Sequence, residues 1–295
     1  MRLGKLHIGC PVWACEHWRG SLYTASAPRS AWLQQYSTVF DCVEGNSTFY
    51  ALPSLETARR WAGGICPGFQ FALKLPRRIT HDLRLTGAQA ELAEFIAVAR
   101  ILQTQGCLGP SFIQLPPDFS TRYQATLEQF LRQLPSDMPW AVEVRHSSWF
   151  DEGPNEAGLD ALLTALGIDK VLFDSRALFS QPASDAVERE SQRRKPQTPW
   201  RTTTTAQHPF LRFIGRNQLH EVQPWIDQWA SIIAGWLENG SNPYVFTHAP
   251  DDAFAPAFAR RLHTAIGELL PQLPPLPPWP GEQEGGPRDT QMLLF

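Results

Sequence analysis

Eight short apolar segments recur along the chain, and polar or charged residues stand at or near the end of most of them. Segments of this length, rich in β-branched and aromatic residues, predict buried strands. They are LHIGCP (6–11), CVEGNSTF (42–49), FQFALKLP (69–76), SFIQLPP (111–117), WAVEVRH (140–146), KVLFDSR (170–176), FLRFIGRN (210–217) and YVFTHAP (244–250).

Segments with helical periodicity separate most of these strands. They cover 30–40, 54–63, 87–106, 121–134, 158–167, 222–240 and 256–270. Alternating strands and helices form a parallel sheet with right-handed crossovers. Eight such units predict an α/β fold, a single (β/α)8 TIM-like barrel over residues 1–270. Neither the dinucleotide-binding nor the P-loop glycine motif follows a strand, which disfavours an open nucleotide-binding sheet.

The strand ends carry the candidate chemistry, because active sites of such barrels lie at the carboxyl ends of their strands. These ends supply Glu44, Asn46, Lys74, Gln114, Glu143, Arg145, His146, Asp174, Arg212, Arg216 and His248. Side chains alternate along a strand, so each of three pairs shares a face: Glu44 with Asn46, Glu143 with Arg145, and Arg212 with Arg216. If those faces point inward, carboxylates and guanidiniums converge on one mouth. The alternative for any one residue is a surface charge or a structural salt bridge.

Several of these segments carry longer motifs that resemble a known family. The motifs are VEGNSTFYALPS (43–54), FQFALKLPRRITH (69–81), FIQLPPDF (112–119), AVEVRHSSWF (141–150) and FLRFIGRN (210–217). Together they resemble the YecE-like family, domain of unknown function 72, from about residue 6 to 270. The resemblance implies a TIM-like barrel similar to those of the endonuclease IV and xylose isomerase group. Two motifs differ from the family pattern: the opening is GCPVW at 9–13, and the seventh strand has Ile214 where the family has His.

An anion clamp is the first chemistry that the strand ends suggest. Lys74, Arg145, Arg212 and Arg216 are suited to phosphate, which guanidinium groups bind through paired hydrogen bonds. The alternative is that these cations neutralise Glu44, Glu143 and Asp174 within the barrel.

Metal binding and acid–base catalysis are the two other chemistries. Ligand types for a divalent metal stand at His81, Glu143, His146, Asp174 and His248. The interspersed Arg and Lys disfavour a multi-metal phosphoesterase centre like that of endonuclease IV. We assign no metal ligand, and a divalent metal and a phosphoesterase stay among the alternatives. Glu44 and Glu143 are candidates for an acid–base pair in a sugar or sugar-phosphate isomerase or hydrolase. The catalytic candidates are therefore Glu44, Glu143, Asp174 and His248.

Loops near the mouth add aromatic and basic candidates. Trp13 and Tyr50 closely follow strand ends and are candidates for stacking on a base or sugar, although core packing is the common role of such residues. His81 follows Arg77 and Arg78 in a basic loop. The polar segment 181–208 contains several Arg and Lys residues, and either a basic lid or a disordered spacer is consistent with it.

Composition limits where the protein acts. The chain has 295 residues with a formal net charge of -3, so nucleic-acid binding would require a local basic patch. Five scattered cysteines without a CxxC pair indicate reduced thiols, and we expect a cytoplasmic protein. We predict no signal peptide and no membrane span.

The C-terminal 25 residues differ from the rest of the chain. Residues 271–290 contain seven prolines and predict a flexible, extended linker. The motif that follows, QMLLF, resembles the bacterial sliding-clamp binding motif Q-L-[Ser/Asp]-L-F. Gln291, Leu294 and Phe295 match that motif, Met292 replaces Leu, and Leu293 departs from it. Fold-back onto the barrel, a protease-recognition end and the absence of any role are the alternatives.

The sequence thus predicts a barrel protein that binds a phosphate-bearing ligand, nucleic acid among the candidates, and that the DNA sliding clamp recruits through tail residues 271–295. The alternatives are a sugar-processing enzyme and a non-catalytic binding module.

Overall fold

The computed structural model describes residues 3–284 and contains eight parallel strands. They are β1 (His7–Gly9), β2 (Cys42–Gly45), β3 (Gln70–Leu73), β4 (Ser111–Gln114), β5 (Trp140–Glu143), β6 (Asp169–Asp174), β7 (Phe210–Ile214) and β8 (Tyr244–His248). Each strand lies inside its predicted segment, except that β6 begins one residue earlier.

Hydrogen bonds divide the strands into two sheets. Six strands form a curled sheet in the order β1-β8-β7-β6-β5-β4, and β2 pairs with β3 in a second sheet. Between β1 and β2, Glu44 N donates a hydrogen bond to Cys10 O at 3.1 Å. Between β3 and the β4 region, two isolated bridges are the only strand pairing among the described residues. The α/β fold with parallel strands is confirmed, in a barrel-like arrangement whose ladder is interrupted at these two junctions.

Ten α-helices are present among residues 3–284. They are α1 (Arg29–Ser37), α2 (Ser47–Tyr50), α3 (Leu55–Gly63), α4 (Gln89–Thr104), α5 (Gln124–Leu131), α6 (Pro154–Leu166), α7 (Ala186–Arg194), α8 (Gln223–Glu238), α9 (Ala255–Leu269) and α10 (Pro280–Glu284). Seven of them coincide with predicted helices. None of the helices in this range is long and apolar enough to cross a bilayer.

Two of the unpredicted helices have local causes. Helix α2 begins within the segment predicted as the second strand, because β2 ends at Gly45 and the chain turns at Asn46. Helix α7 forms in the polar segment 181–208. The Asp185 side chain accepts a hydrogen bond from Glu188 N, which caps the first turn.

The interior of the strand set is filled by aromatic and small side chains. Phe210 lies 5.3 Å from Phe112 and 5.1 Å from Phe246 between ring centroids. These rings belong to a buried cluster separate from the larger core between strands and helices. Arg212 lies over Phe112 at 5.3 Å, so this apolar layer is the floor beneath the charged strand ends.

Residues 271–284 pack against the body, in contrast to the extended linker that we expected. Trp279 is buried, and the Arg260 guanidinium lies 3.4 Å from its ring centroid. Arg260 also pairs with Glu282, and Glu284 accepts a hydrogen bond from Ala25 N. Apolar contact and ion pairs therefore extend the packed region past residue 270. The QMLLF motif at 291–295 lies outside the described residues.

Candidate anion-binding site at the strand ends

Arg212 of β7 is the centre of the charged cluster at the mouth. Its Nε and Nη2 donate to the two carboxylate oxygens of Glu44 at 2.8 and 2.7 Å. Its Nη1 donates to Glu143 Oε2 at 2.5 Å. All three side chains are buried. One guanidinium thus bridges carboxylates from β2 and β5, as the alternation of side chains predicted.

Neighbouring side chains complete the partners of both carboxylates. Arg145 Nε donates to Glu143 Oε1 at 2.5 Å, and Arg145 Nη2 donates to Gln114 Oε1 at 2.7 Å. Asn46 Nδ2 donates to Glu44 Oε1 at 2.7 Å, and His248 Nε2 lies 3.1 Å from Glu44 Oε2. Every carboxylate oxygen of the cluster therefore has at least one donor, as buried charges require.

Both glutamates are held in their ionised form. Burial alone would raise the pKa of Glu143, but the charges of Arg145 and Arg212 outweigh it and lower the pKa to about 2. Burial alone would also raise the pKa of Glu44, but Arg212 and His248 outweigh burial and hold this pKa well below its usual range. A general acid needs a proton at working pH. The pair is therefore poorly suited to donate one near neutrality.

His248 is neutral in this setting. Burial is the main cause that lowers its pKa to about 4, and the neighbouring glutamate only partly opposes it. Neutral His248 therefore donates its Nε2–H to Glu44 and supports the cluster without adding charge.

Two lysines stand above this cluster without a counter-ion. Lys74 is buried, and its Nζ lies 3.8 Å from the Phe49 ring centroid. Burial first, and then the charge of Arg212, lower the pKa of Lys74 to about 7. Lys195, which follows α7, has a pKa lowered to about 8 by burial and by Arg212 and Arg145. Neither ammonium has a hydrogen bond or ion pair with any residue in 3–284.

A cavity of about 490 Å³ opens over these groups. Its volume suits a small ligand. Among the described residues, the one acidic side chain in its wall is Asp252, whose pKa is raised by burial. Six basic side chains line it: Lys74, Arg77, Arg145, Arg194, Lys195 and Arg212. This excess of positive charge favours an anion.

His81 and Tyr50 complete the rim. A single π-helical turn at Arg78–Asp82 carries His81, whose Nδ1 lies 2.8 Å from Thr80 Oγ1. Such turns are frequent at functional sites. Burial and the charge of Lys74 lower the pKa of His81 to about 4, so the ring is neutral. Tyr50 is 82% exposed at the cavity edge, where its ring is free to stack on a ligand.

Glu44 and Glu143 lie outside the cavity wall but contact Arg212 within it, and four other expected site residues also lie outside the wall. Asp174 pairs with Arg176 and accepts a hydrogen bond from Trp229 Nε1 at 2.7 Å. His146 accepts a hydrogen bond from Ser148 N within its own turn. The other two are Arg216, which pairs with Glu188 and Glu221, and Trp13, which packs edge-on against Trp61 at 5.1 Å.

The sequence interpretation missed how segment 181–208 reaches the mouth. Helix α7 brings Arg194 and Lys195 into the cavity wall. Buried Glu188 fixes this helix, since it accepts hydrogen bonds from Arg216 Nη2 and Asn217 N at 2.7 and 3.0 Å. The spacing of Asp185 and Glu188 was the available signal, because an acidic residue three positions after a cap residue is typical of a helix start.

No group of three or more His, Cys, Asp or Glu side chains within 3–284 is arranged to hold a metal ion. The candidate ligands Glu143, Asp174 and His146 have separate partners, and guanidinium groups occupy the oxygens of Glu143.

Comparison with known proteins places the chain among uncharacterised relatives. The family model described as protein of unknown function DUF72 matches residues 7–283. UPF0759 protein YecE of Escherichia coli K12 is 33% identical over 276 residues, which cover 93% of this chain and 97% of YecE. UPF0759 protein YunF of Bacillus subtilis is 27% identical over 151 residues, 49% of this chain and 52% of YunF.

Two solved structures support the fold. A DUF72 family protein from Thermotoga maritima has a TM-score of 0.66 at 21% identity, with 91% of this chain and 100% of that chain covered. One from Enterococcus faecalis has a TM-score of 0.68 at 15% identity, with 92% and 99% covered. The resemblance to the YecE-like family that the motifs indicated is confirmed.

Proposed function

This chain belongs to the DUF72 family, and we propose that it binds a small phosphate-bearing ligand in the cationic cavity at the strand ends. The observation that carries the proposal is the charge of the wall. Arg145 and Arg212 balance the two ionised glutamates. Lys195 and the protonated form of Lys74 then have no acidic partner within the cluster. A phosphate monoester carries a charge of about -1.5 to -2 at neutral pH, which matches this surplus.

The donors also suit phosphate in their geometry. Arg145 uses Nε and Nη2 within the cluster, and no hydrogen bond from its Nη1 to residues 3–284 is present. Lys195 Nζ is likewise uncommitted among these residues, and mobile Lys donors combine with planar guanidinium groups in many phosphate sites. We assign Arg145 and Lys195 as the principal phosphate contacts, with Arg77 and Arg194 at the rim.

The cavity favours a small ligand, or the end of a nucleic-acid strand, over a long polymer path. A volume of about 490 Å³ is the size of a small-molecule pocket. Exposed Tyr50 lies at its edge and offers a stacking face to a base or a sugar. We take the eight strands to work as one (β/α)8 barrel, whose loops supply this wall.

Binding of inorganic phosphate, a nucleoside monophosphate and a 5′-phosphorylated single-stranded oligonucleotide tests the proposal, with calorimetry and thermal unfolding as readouts. We expect phosphate to stabilise the folded protein by about 2.7 kcal/mol when its concentration is about 100 times Kd. The nucleoside monophosphate should bind more tightly through Tyr50. Tightest binding by the oligonucleotide would identify a nucleic-acid end as the ligand.

Lys195→Gln is the informative variant, because the Lys195 ammonium has no partner among residues 3–284 whose loss would disturb folding. Loss of one charge-assisted hydrogen bond of about 1.5–3 kcal/mol should weaken phosphate binding by about tenfold or more. Arg132→Met removes a charge from an exposed helical pair and serves as the control. Equal phosphate affinity in all three proteins would refute the assignment of the site.

We also propose that the tail motif QMLLF recruits the protein to the DNA sliding clamp. The support is the sequence alone, with Gln291, Leu294 and Phe295 at the motif positions. Short peptide anchors lose conformational entropy on binding, so we expect modest affinity. Residues 285–290 separate the last described residue from the motif in the sequence.

A further inference from the structure

We propose that Lys74 is a nucleophile that forms an imine with the aldehyde or ketone carbon of a phosphorylated ligand. The inference rests on the proposed function, because the cationic cavity must hold the phosphate while Lys74 reacts with the carbonyl group. It adds a substrate class, small phosphorylated aldehydes and ketones, and a covalent step.

The surroundings of Lys74 differ from those of the other buried lysine. Lys170 is equally buried, but its Nζ lies 2.8 Å from Asp160 and 3.6 Å from Glu156. Lys74 has an aromatic ring at 3.8 Å and no carboxylate contact among the described residues. A buried ammonium is normally paired. The unpaired amine in a cavity wall is therefore the feature that needs an explanation.

The lysine content of the chain strengthens this point. Among 26 basic residues only four are lysines: Lys5, Lys74, Lys170 and Lys195. Two of these four line the cavity. Arginine serves phosphate binding as well as lysine does, but only lysine has an amine that can lose its proton and attack a carbonyl carbon. A lysine at position 74 therefore fits a role that needs an amine able to lose its proton.

Burial, and after it the charge of Arg212, keeps part of the Lys74 amine neutral. Arg145 also disfavours protonation of the amine. Glu143 and Glu44 favour protonation, but their effect is smaller than that of burial and Arg212. Because the pKa is about 7, a substantial fraction of the amine is unprotonated at neutral pH. A desolvated lysine beside other cations is a recognised form of activated amine nucleophile.

The covalent step needs no additional reactant. The Lys74 lone pair forms the C–N bond as the carbonyl π electrons move to oxygen, and a proton moves from nitrogen to that oxygen. The carbinolamine hydroxyl group then takes a second proton from solvent. The C–O bond breaks with release of water as the nitrogen lone pair forms the C=N bond, and the protonated imine remains. His81 lines the same cavity, and its Nδ1 contacts Thr80. We assign His81 as the group that relays the first of these protons from nitrogen to oxygen.

Lys195 is better suited to bind the phosphate. It lies on the segment after α7 and is only half-buried, whereas Lys74 is almost fully buried beside Phe49. With the phosphate on Lys195 and Arg145, we place the carbonyl end of the ligand at Lys74 and His81, which line the same cavity.

Reductive trapping on the full-length protein tests the proposal. The probe is glyceraldehyde 3-phosphate with sodium cyanoborohydride, followed by intact mass measurement and peptide mapping of all four lysines. We expect one adduct, at Lys74, formed faster as pH rises from 6 to 8 and blocked by excess inorganic phosphate. Glyceraldehyde without phosphate should label Lys74 at least tenfold more slowly. A parallel arm with an abasic-site oligonucleotide asks whether the carbonyl group comes from DNA.

Lys74→Arg separates the imine from ligand binding. This variant keeps the positive charge and should keep phosphate-induced stabilisation, but it should lose the adduct. Label that persists in Lys74→Arg, or that spreads equally to Lys5 and Lys170, would overturn the proposal. Phosphate binding without any adduct would refute only the imine, whereas absence of phosphate binding would refute the proposed function.

Discussion

Replacing Arg212 by methionine removes the charge that Glu44 and Glu143 share. Arg212 donates three hydrogen bonds of 2.5–2.8 Å to these carboxylates, and all three groups are buried. After the substitution Glu143 keeps Arg145, but Glu44 keeps only Asn46 and neutral His248. Glu44 then becomes a buried carboxylate without a cation in contact.

The expected loss of stability is a large fraction of the total free energy of unfolding. Removing one partner of a buried ion pair costs about 3–5 kcal/mol, and domains unfold with a free energy of about 5–15 kcal/mol. With an m value of about 3 kcal/mol/M in urea, the midpoint should fall by about 1–2 M. The assay is urea unfolding at pH 7, followed by tryptophan fluorescence and circular dichroism.

Two further variants make the reasoning refutable. Arg132→Met breaks an exposed helical pair with Glu128 and should cost less than about 1 kcal/mol. Glu44→Gln combined with Arg212→Met removes the orphaned charge and should recover about 1–3 kcal/mol relative to Arg212→Met alone. If Arg212→Met costs no more than Arg132→Met, the cluster is not a buried network of ionised groups.

Three other predictions concern pH, the cavity charge and the tail. Because the pKa of His248 is about 4 when folded and 6.5 ordinarily, wild-type stability should fall as pH drops through this window, and His248→Gln should reduce that fall in urea titrations. Lys74→Met should stabilise the protein in the same assay, most strongly below pH 7. That gain should disappear as pH rises towards 10.5, because Lys74 binds its proton less tightly when folded. A chain ending at Thr290 should lose capture by immobilised sliding clamp, and undiminished capture would contradict recruitment through QMLLF.

The convergence of charges could be predicted because strand alternation is a strong geometric rule. Glu44, Glu143 and Arg212 meet as that rule requires. The same rule explains why Asp174 is elsewhere. Phe173 faces the interior, 5.6 Å from Arg212, so the next residue faces the helices and meets Trp229. The sequence places Asp174 at the end of a strand, but the prediction does not say which face of the sheet its side chain occupies.

Two other predictions, for Arg216 and for segment 271–284, differ from the structure because the rule behind each one does not hold there. Strand β7 ends at Ile214, so alternation does not carry Arg216 to the interior, and it pairs with Glu188 of α7 instead. The proline content of 271–290 predicted an extended linker, but one large residue, Trp279, has enough apolar surface to bind the segment to the body. Both outcomes depend on long-range partners that a local pattern does not contain.

The two proposals constrain where the phosphate can lie. A phosphate in contact with Lys74 Nζ would favour its charged form, as an opposite charge within about 4–6 Å does, and would suppress the nucleophile. The proposed contacts with Arg145 and Lys195 would keep the phosphate away from Nζ and would leave the amine under the influence of Arg212. The buried glutamates also affect the protonation of Lys74, because they hold Arg212 in place. The charge of Arg212 then disfavours the protonated form of Lys74. On these proposals Glu44 and Glu143 are positioning residues, and the reacting groups are Lys74 and His81.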